Sequence, residues 1–153
     1  MSKVKKIVLA FFVALVIIQF IQPAKNKTDQ FMPNDFAKVY TVPDSIQAIL
    51  KTACYDCHSN NTVYPWYSHI QPAAWIMRGH INEGKSKLNF SDFGTYSSRR
   101  QISKLKGIAN EIMDDRMPIS SYKLMHPNAR LSQTDKLLVT GWMDKKADSL
   151  LNN

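Results

Sequence analysis

Cys54 and Cys57 are the only cysteines of the chain, and His58 directly follows the second. Two thiols spaced two residues apart on a helical turn can add to the two vinyl groups of one haem, which leaves the next side chain beneath the iron. The stretch Cys54-Tyr55-Asp56-Cys57-His58 therefore reads as a covalent attachment site for one haem c per chain. Cys54 and Cys57 would be the thioether donors and His58 the proximal ligand. Three other chemistries use the same cysteine spacing. Structural zinc takes four ligands, usually from a second close pair, and would have to recruit His69, His80 or His126 here. A thioredoxin-like redox pair follows a strand in an alternating strand and helix pattern, which this chain lacks. A plain disulfide accounts for the thiols but not for His58.

These residues need elements to position them. Asp44-Ser45-Ile46-Gln47 has the form of a capping box, and Ile46, Ile49, Leu50 and Ala53 recur at helical spacing, so an amphipathic helix is expected to deliver Cys54. Ser59 to Thr62 is turn chemistry. The cluster Tyr64-Pro65-Trp66-Tyr67 is suited either to walling a porphyrin or to ordinary packing. Pro72 opens a helix that runs through Ala73, Ala74, Ile76 and Met77 past His80 to end near Gly84. Leu88 to Gly94 reads as an ordered loop. Ser98-Arg99-Arg100-Gln101 is a second capping box, followed by Ile102, Leu105, Ile108, Ala109 and Ile112 on one helical face. Gly107 within that helix marks a place where another backbone could approach. Met117-Pro118 begins a loop that extends to Arg130, and Ser132 with Asp135 caps the last helix, whose Leu138 and Trp142 are expected to pack against the first. No run alternates as strands do, so the expected class is all-α.

At 153 residues the chain is long enough for one domain with accessories. Its formal net charge of +8 includes Lys3, Lys5 and Lys6, and the remaining lysines are scattered among acids rather than gathered with aromatic residues in a stripe. That pattern favours a solvated mixed surface over a nucleic-acid partner and leaves a weak preference for acidic protein surfaces. Ile7 to Ile21 is an almost unbroken apolar run. As a helix it reaches only about 22 Å against a bilayer core of about 30 Å, unless Val4 and the lysines extend it. The length suits a signal peptide, but no good cleavage site follows. The preferred expectation is an uncleaved inner-membrane anchor, with the domain in the periplasm by the positive-inside rule, and a cleaved signal is the alternative. The expected organisation is a membrane segment at 1–23, a polar tether at 24–43 and a haem-binding domain at 44–153.

With these pieces placed, the chain resembles c-type cytochromes, and more closely the small haem-binding domain family of membrane-tethered bacterial proteins. The marks lie in Cys54 to Ser59, Tyr64-Pro65-Trp66-Tyr67, Trp75, His80 with Gly84, Leu88-Asn89-Phe90-Ser91, Met117-Pro118 and His126-Pro127. Phe93 stands where a tryptophan would be expected. The resemblance implies a small cytochrome c-like helical fold around one covalent haem. It also implies Met117 as the distal ligand, since methionine followed by proline before the last helix matches the methionine-ligand loop of many small cytochromes. A thioether suits the iron of an electron carrier. His126 and His80 are the alternatives. The implied function is single-electron transfer with redox partner proteins, without turnover of a substrate. The other function class is a haem-based sensor that binds a small ligand. A peroxidase-like enzyme is disfavoured because nothing marks a distal acid-base pair.

Overall fold

A computed structural model describes residues 2–152, which are all-helical, with no strand among the described residues. The helices are α1 (Lys3–Ile18), α2 (Phe36–Val39), α3 (Asp44–Ala53), α4 (Tyr55–His58), α5 (Ala73–Lys87), α6 (Ser98–Met113), α7 (Ser120–Met125) and α8 (Gln133–Leu151). Short 3-10 turns occupy Trp66–His69, Phe90–Thr95 and Pro127–Ala129.

The frame is the pair α6 and α8. Leu105, Ile108, Ala109 and Ile112 of α6 are buried, as are Val139, Met143 and Ala147 of α8. Lys106 pairs with Asp144 and Asp148, while Asp115, just beyond the end of α6, pairs with Lys136, so the two helices run antiparallel. Ser132 and Asp135 form the expected capping box at the start of α8. The buried face of α8 is not the one expected, because Leu138 is 43% exposed while Val139 is fully covered. Leu137, Leu138 and Val139 are three consecutive apolar residues, so local spacing does not choose among them. The cap of α6 is Ser97, one residue earlier than expected, and α3 has no side-chain cap because Pro43 occupies that position.

Residues 24–43, expected as a tether, are packed into the domain. Phe36 is fully buried, with its ring 4.9 Å from Phe93, 5.3 Å from Phe90 and 5.7 Å from Trp142 in edge-on contacts. Tyr40 and Trp142 are also in edge contact, so the aromatic seal of α8 is made largely with α2. Upstream, the Asn26 amide donates to Ser59 O and Thr62 Oγ1, and the Arg78 guanidinium donates to Ala24 O. Because short-range apolar periodicity is absent from this strap, its contacts are visible only when the chain has folded.

The expected inner-membrane anchor, and with it the membrane segment of the fold class, is corrected. Among the described residues no helix is long and apolar enough to cross a membrane. α1 has 16 residues, a rise of about 24 Å, with lysines in its first turn. It ends at Ile18 rather than Ile21 because Gln19 turns toward the domain: its amide donates to Gln71 O and its carbonyl accepts the Gln71 N–H at 2.9 Å. Ile21 O then accepts from the side chains of Gln71 and Trp75, which takes the last apolar residues out of the helix.

Candidate functional site

α3 stops at Cys54, where the backbone leaves helical geometry (φ −128°, ψ −41°), and α4 restarts one residue later. The N–H groups of Cys57 and His58 both bond back to Cys54 O, at 3.2 and 3.0 Å. This single turn brings both cysteines and the histidine around one cavity system. Both thiols are free. Burial, with the neighbouring Cys57, pushes the Cys54 thiol up to about 12, and burial with Asp56 pushes Cys57 up to about 11. Near neutral pH both are therefore protonated sulfurs in apolar surroundings, not reactive thiolates.

His58 is oriented by the C-terminal end of α5. Its Nδ1–H is shared between Gly84 O at 3.0 Å and Leu88 O at 3.1 Å, two carbonyls at the end of that helix. Donation from Nδ1 assigns the tautomer and leaves the Nε2 lone pair available. A metal-ligating imidazole is usually held in this way, by its other nitrogen. Burial holds the His58 pKa below its ordinary value although both carbonyl bonds pull upward, so the ring is neutral and can act as a donor. α5 comes this close because residue 84 is glycine. A Cβ there would stand 2.6 Å from Cys57 O.

Met117 is delivered by the end of α6. Asp115 adopts a left-handed backbone (φ 58°), and the N–H groups of Arg116 and Met117 both bond to Glu111 O, so the chain reverses tightly. Met117 and His58 line the same two adjoining cavities. The larger, about 400 Å³, has Cys54, Phe90, Gly107 and Ile112 in its walls, and the smaller, about 190 Å³, has both cysteines, His80 and Tyr122. A third hollow of about 230 Å³ continues past Cys57 to Tyr67 and Met125. Gly107 does not admit another backbone as expected; a Cβ there would meet nothing within 4 Å, because the position borders the large cavity.

The structure thus brings Cys54, Cys57, His58 and Met117 together, with His80 at the border of the smaller cavity. His126 lies elsewhere. Its ring stacks on Tyr122, Nδ1–H donates to Tyr122 O, and Nε2 accepts from the Tyr67 hydroxyl. Of the aromatic cluster, Tyr67 lines the Cys57 side, whereas Trp66 is largely exposed and Tyr64 accepts the Asn26 N–H. Phe93 is core.

Two site residues were not legible in the sequence. Asp56, between the cysteines, is buried; its carboxylate accepts the Val63 N–H at 2.9 Å and the Tyr122 O–H at 2.7 Å. Tyr122 belongs to α7, within the segment expected to be loop. Burial and the Asp56 carboxylate push its hydroxyl far above the ordinary range, so it stays a donor. This short helix starts at Ser120 with Ile119 at its N-cap and no side-chain cap, so no local signal marked it.

The donor set suits a haem: two thiols and an oriented neutral imidazole on one turn, a thioether bordering the same space, and apolar walls with a glycine facing the void. Among the described residues no group of three histidine, cysteine or acidic side chains gathers to hold a metal ion, as a structural zinc site would require. No curated protein and no solved structure matches the chain. A family model described as a haem-binding domain matches residues 13–145, a span that includes the strap, the Cys54 to His58 turn, Gly84 and Met117. The chain belongs to the haem-binding domain family.

Proposed function

We propose that the protein holds one haem c covalently and serves as a single-electron carrier, with Cys54 and Cys57 as thioether donors, His58 as proximal ligand and Met117 as distal ligand. The observation that carries this reading is the His58 ring, anchored through Nδ1 by two carbonyls in a cavity that Met117 also lines. The haem would supply the redox chemistry. The chain's own residues retain and orient it. Each thiol would add across one vinyl group, its sulfur bonding to one carbon and its hydrogen to the other, an attachment without net oxidation. The buried, protonated state of both thiols disfavours adventitious thiolate chemistry in the haem-free protein. His58 and Met117 would hold the iron, electrons would pass to partner proteins, and no substrate would be turned over.

One observation favours the second reading, a ligand-binding or sensor domain. Part of the distal wall comes from α7, which buries none of its residues and is joined to the attachment turn through Tyr122. Carbon monoxide separates the two readings, because a closed carrier barely responds to it in the reduced state.

The decisive experiment is production of the full chain with a haem-maturation system, acidic organic extraction and pyridine haemochrome spectroscopy. One haem mass should remain on the polypeptide, and loss of either cysteine should leave one thioether or no stable holoprotein. Complete extraction of the haem, or one zinc per chain, would overturn the assignment.

A further inference from the structure

We propose that the hydrogen bond between Tyr122 and Asp56 is a latch that keeps the Met117 segment closed over the His58 cavity, and so regulates access of external ligands to the sixth coordination position. This rests on the reading that Met117 is the distal ligand.

The segment between α6 and α8 is held at separate points along its length. At its start the Met117 N–H is tied to Glu111 O, and at its far end Ala129 is buried. Between them Pro118 is covered and His126 is hydrogen-bonded to the Tyr67 hydroxyl, but α7 itself buries no residue, so polar contacts rather than packing hold that helix. What joins α7 to the attachment turn is Tyr122. Its hydroxyl donates to Asp56 Oδ2 at 2.7 Å and lies 3.3 Å from Thr52 O, while its ring borders the cavity shared by Cys57 and Met117. The stack of Tyr122 on His126, with centroids 4.0 Å apart, ties α7 to its own C-terminal end, and His126 in turn reaches Tyr67 of the 66–69 turn rather than the attachment turn.

The acceptor is placed to make this bond a reference for the haem itself. Asp56 sits between Cys54 and Cys57, so thioether attachment fixes its backbone relative to the porphyrin. Its second oxygen is held by the Val63 N–H, and its carbonyl accepts from Thr62 Oγ1, so the carboxylate cannot follow α7 if α7 swings out. A charge-assisted hydrogen bond of this kind biases an opening equilibrium by roughly one to two decades. Opening would carry Pro118 and Ile119 away from the cavity and loosen the hold on Met117. The α6 and α8 core would be untouched, because no α7 residue belongs to it.

The test uses the haem-loaded full chain as wild type, Tyr122→Phe, Asp56→Asn and Met117→Ala. Three readings are taken: stopped-flow carbon monoxide binding to the reduced protein, the far-red absorption of sulfur-ligated ferric haem, and hydrogen exchange over residues 117–126. Tyr122→Phe retains the ring and its stack, so haem should stay attached while carbon monoxide binds at least tenfold faster. Its far-red band should weaken and exchange should rise in 117–126. Asp56→Asn, which removes the acceptor's charge, should fall between wild type and Met117→Ala and serves if Tyr122→Phe does not accumulate. A wild-type rate and an undiminished band in Tyr122→Phe and Asp56→Asn, alongside fast binding in Met117→Ala, overturns the latch alone. If Met117→Ala is indistinguishable from wild type, the distal assignment fails and the latch fails with it.

Discussion

At the scale of single residues, the two axial candidates differ in what holds them. His58 is bonded to two carbonyls and sits inside the attachment turn, so His58→Ala should impair maturation of the holoprotein. Met117 is held mainly through its backbone, and Met117→Ala should leave haem attached. Its potential should fall, because sulfur ligation favours the reduced iron, and its reduced form should bind carbon monoxide. Potentiometric titration of the two holoproteins measures the first effect, and an unchanged potential would exclude Met117 as a ligand. The cysteines give a pH-dependent prediction for haem-free protein. Their folded pKa values, about 12 and about 11, lie above the ordinary 9.0, so folding favours the protonated thiols. That contribution is complete below the unfolded thiol value and is lost as pH rises toward the folded ones. Iodoacetamide at pH 8 should therefore alkylate the native apoprotein at least tenfold more slowly than the urea-unfolded chain, and equal rates would show that the thiols are not buried.

At the scale of elements, the site depends on how closely α5 approaches α4. A methyl group at residue 84 would lie 2.6 Å from Cys57 O, and backbone cannot yield as a side-chain tip does. Gly84→Ala should cost about 1–3 kcal/mol through overpacking and displace the two carbonyls that orient His58. Thermal unfolding and haem incorporation should fall together. Gly107→Ala is the matching control within α6, where an added Cβ meets nothing within 4 Å. In haem-free protein it should not lower the melting temperature, since alanine is the better helix former by about 1 kcal/mol.

At the scale of the whole molecule, the strap at 24–43 closes the domain. Phe36 is fully buried among Tyr40, Phe90, Phe93 and Trp142, which come from three separate parts of the chain. Phe36→Ala should destabilise the protein by about 3–5 kcal/mol, a fall in melting temperature on the order of 10 °C for a chain of this size. If calorimetry shows no change, the segment behaves as the tether that its composition suggests. A chain shortened to begin at Asp44 should likewise fail to fold cooperatively, because the aromatic core would lose its central ring.

What the sequence by itself determined was local. The order Cys54, Cys57, His58 depends on the reach of one helical turn, and the faces of α3 and α6 depend on apolar spacing of 3.6 residues, so both could be read without a fold. The Ser132 and Asp135 cap is equally local. The tertiary structure decided everything that depends on distant partners. It placed Phe36 in the core, gave Gly84 rather than Gly107 the close backbone contact, turned His126 toward Tyr67, and ended α1 at Ile18 through bonds to Gln71. It also joined Asp56 to Tyr122 across 66 positions. No periodicity encodes such a pairing, because its energy comes from desolvated groups that meet only after the chain has closed around them.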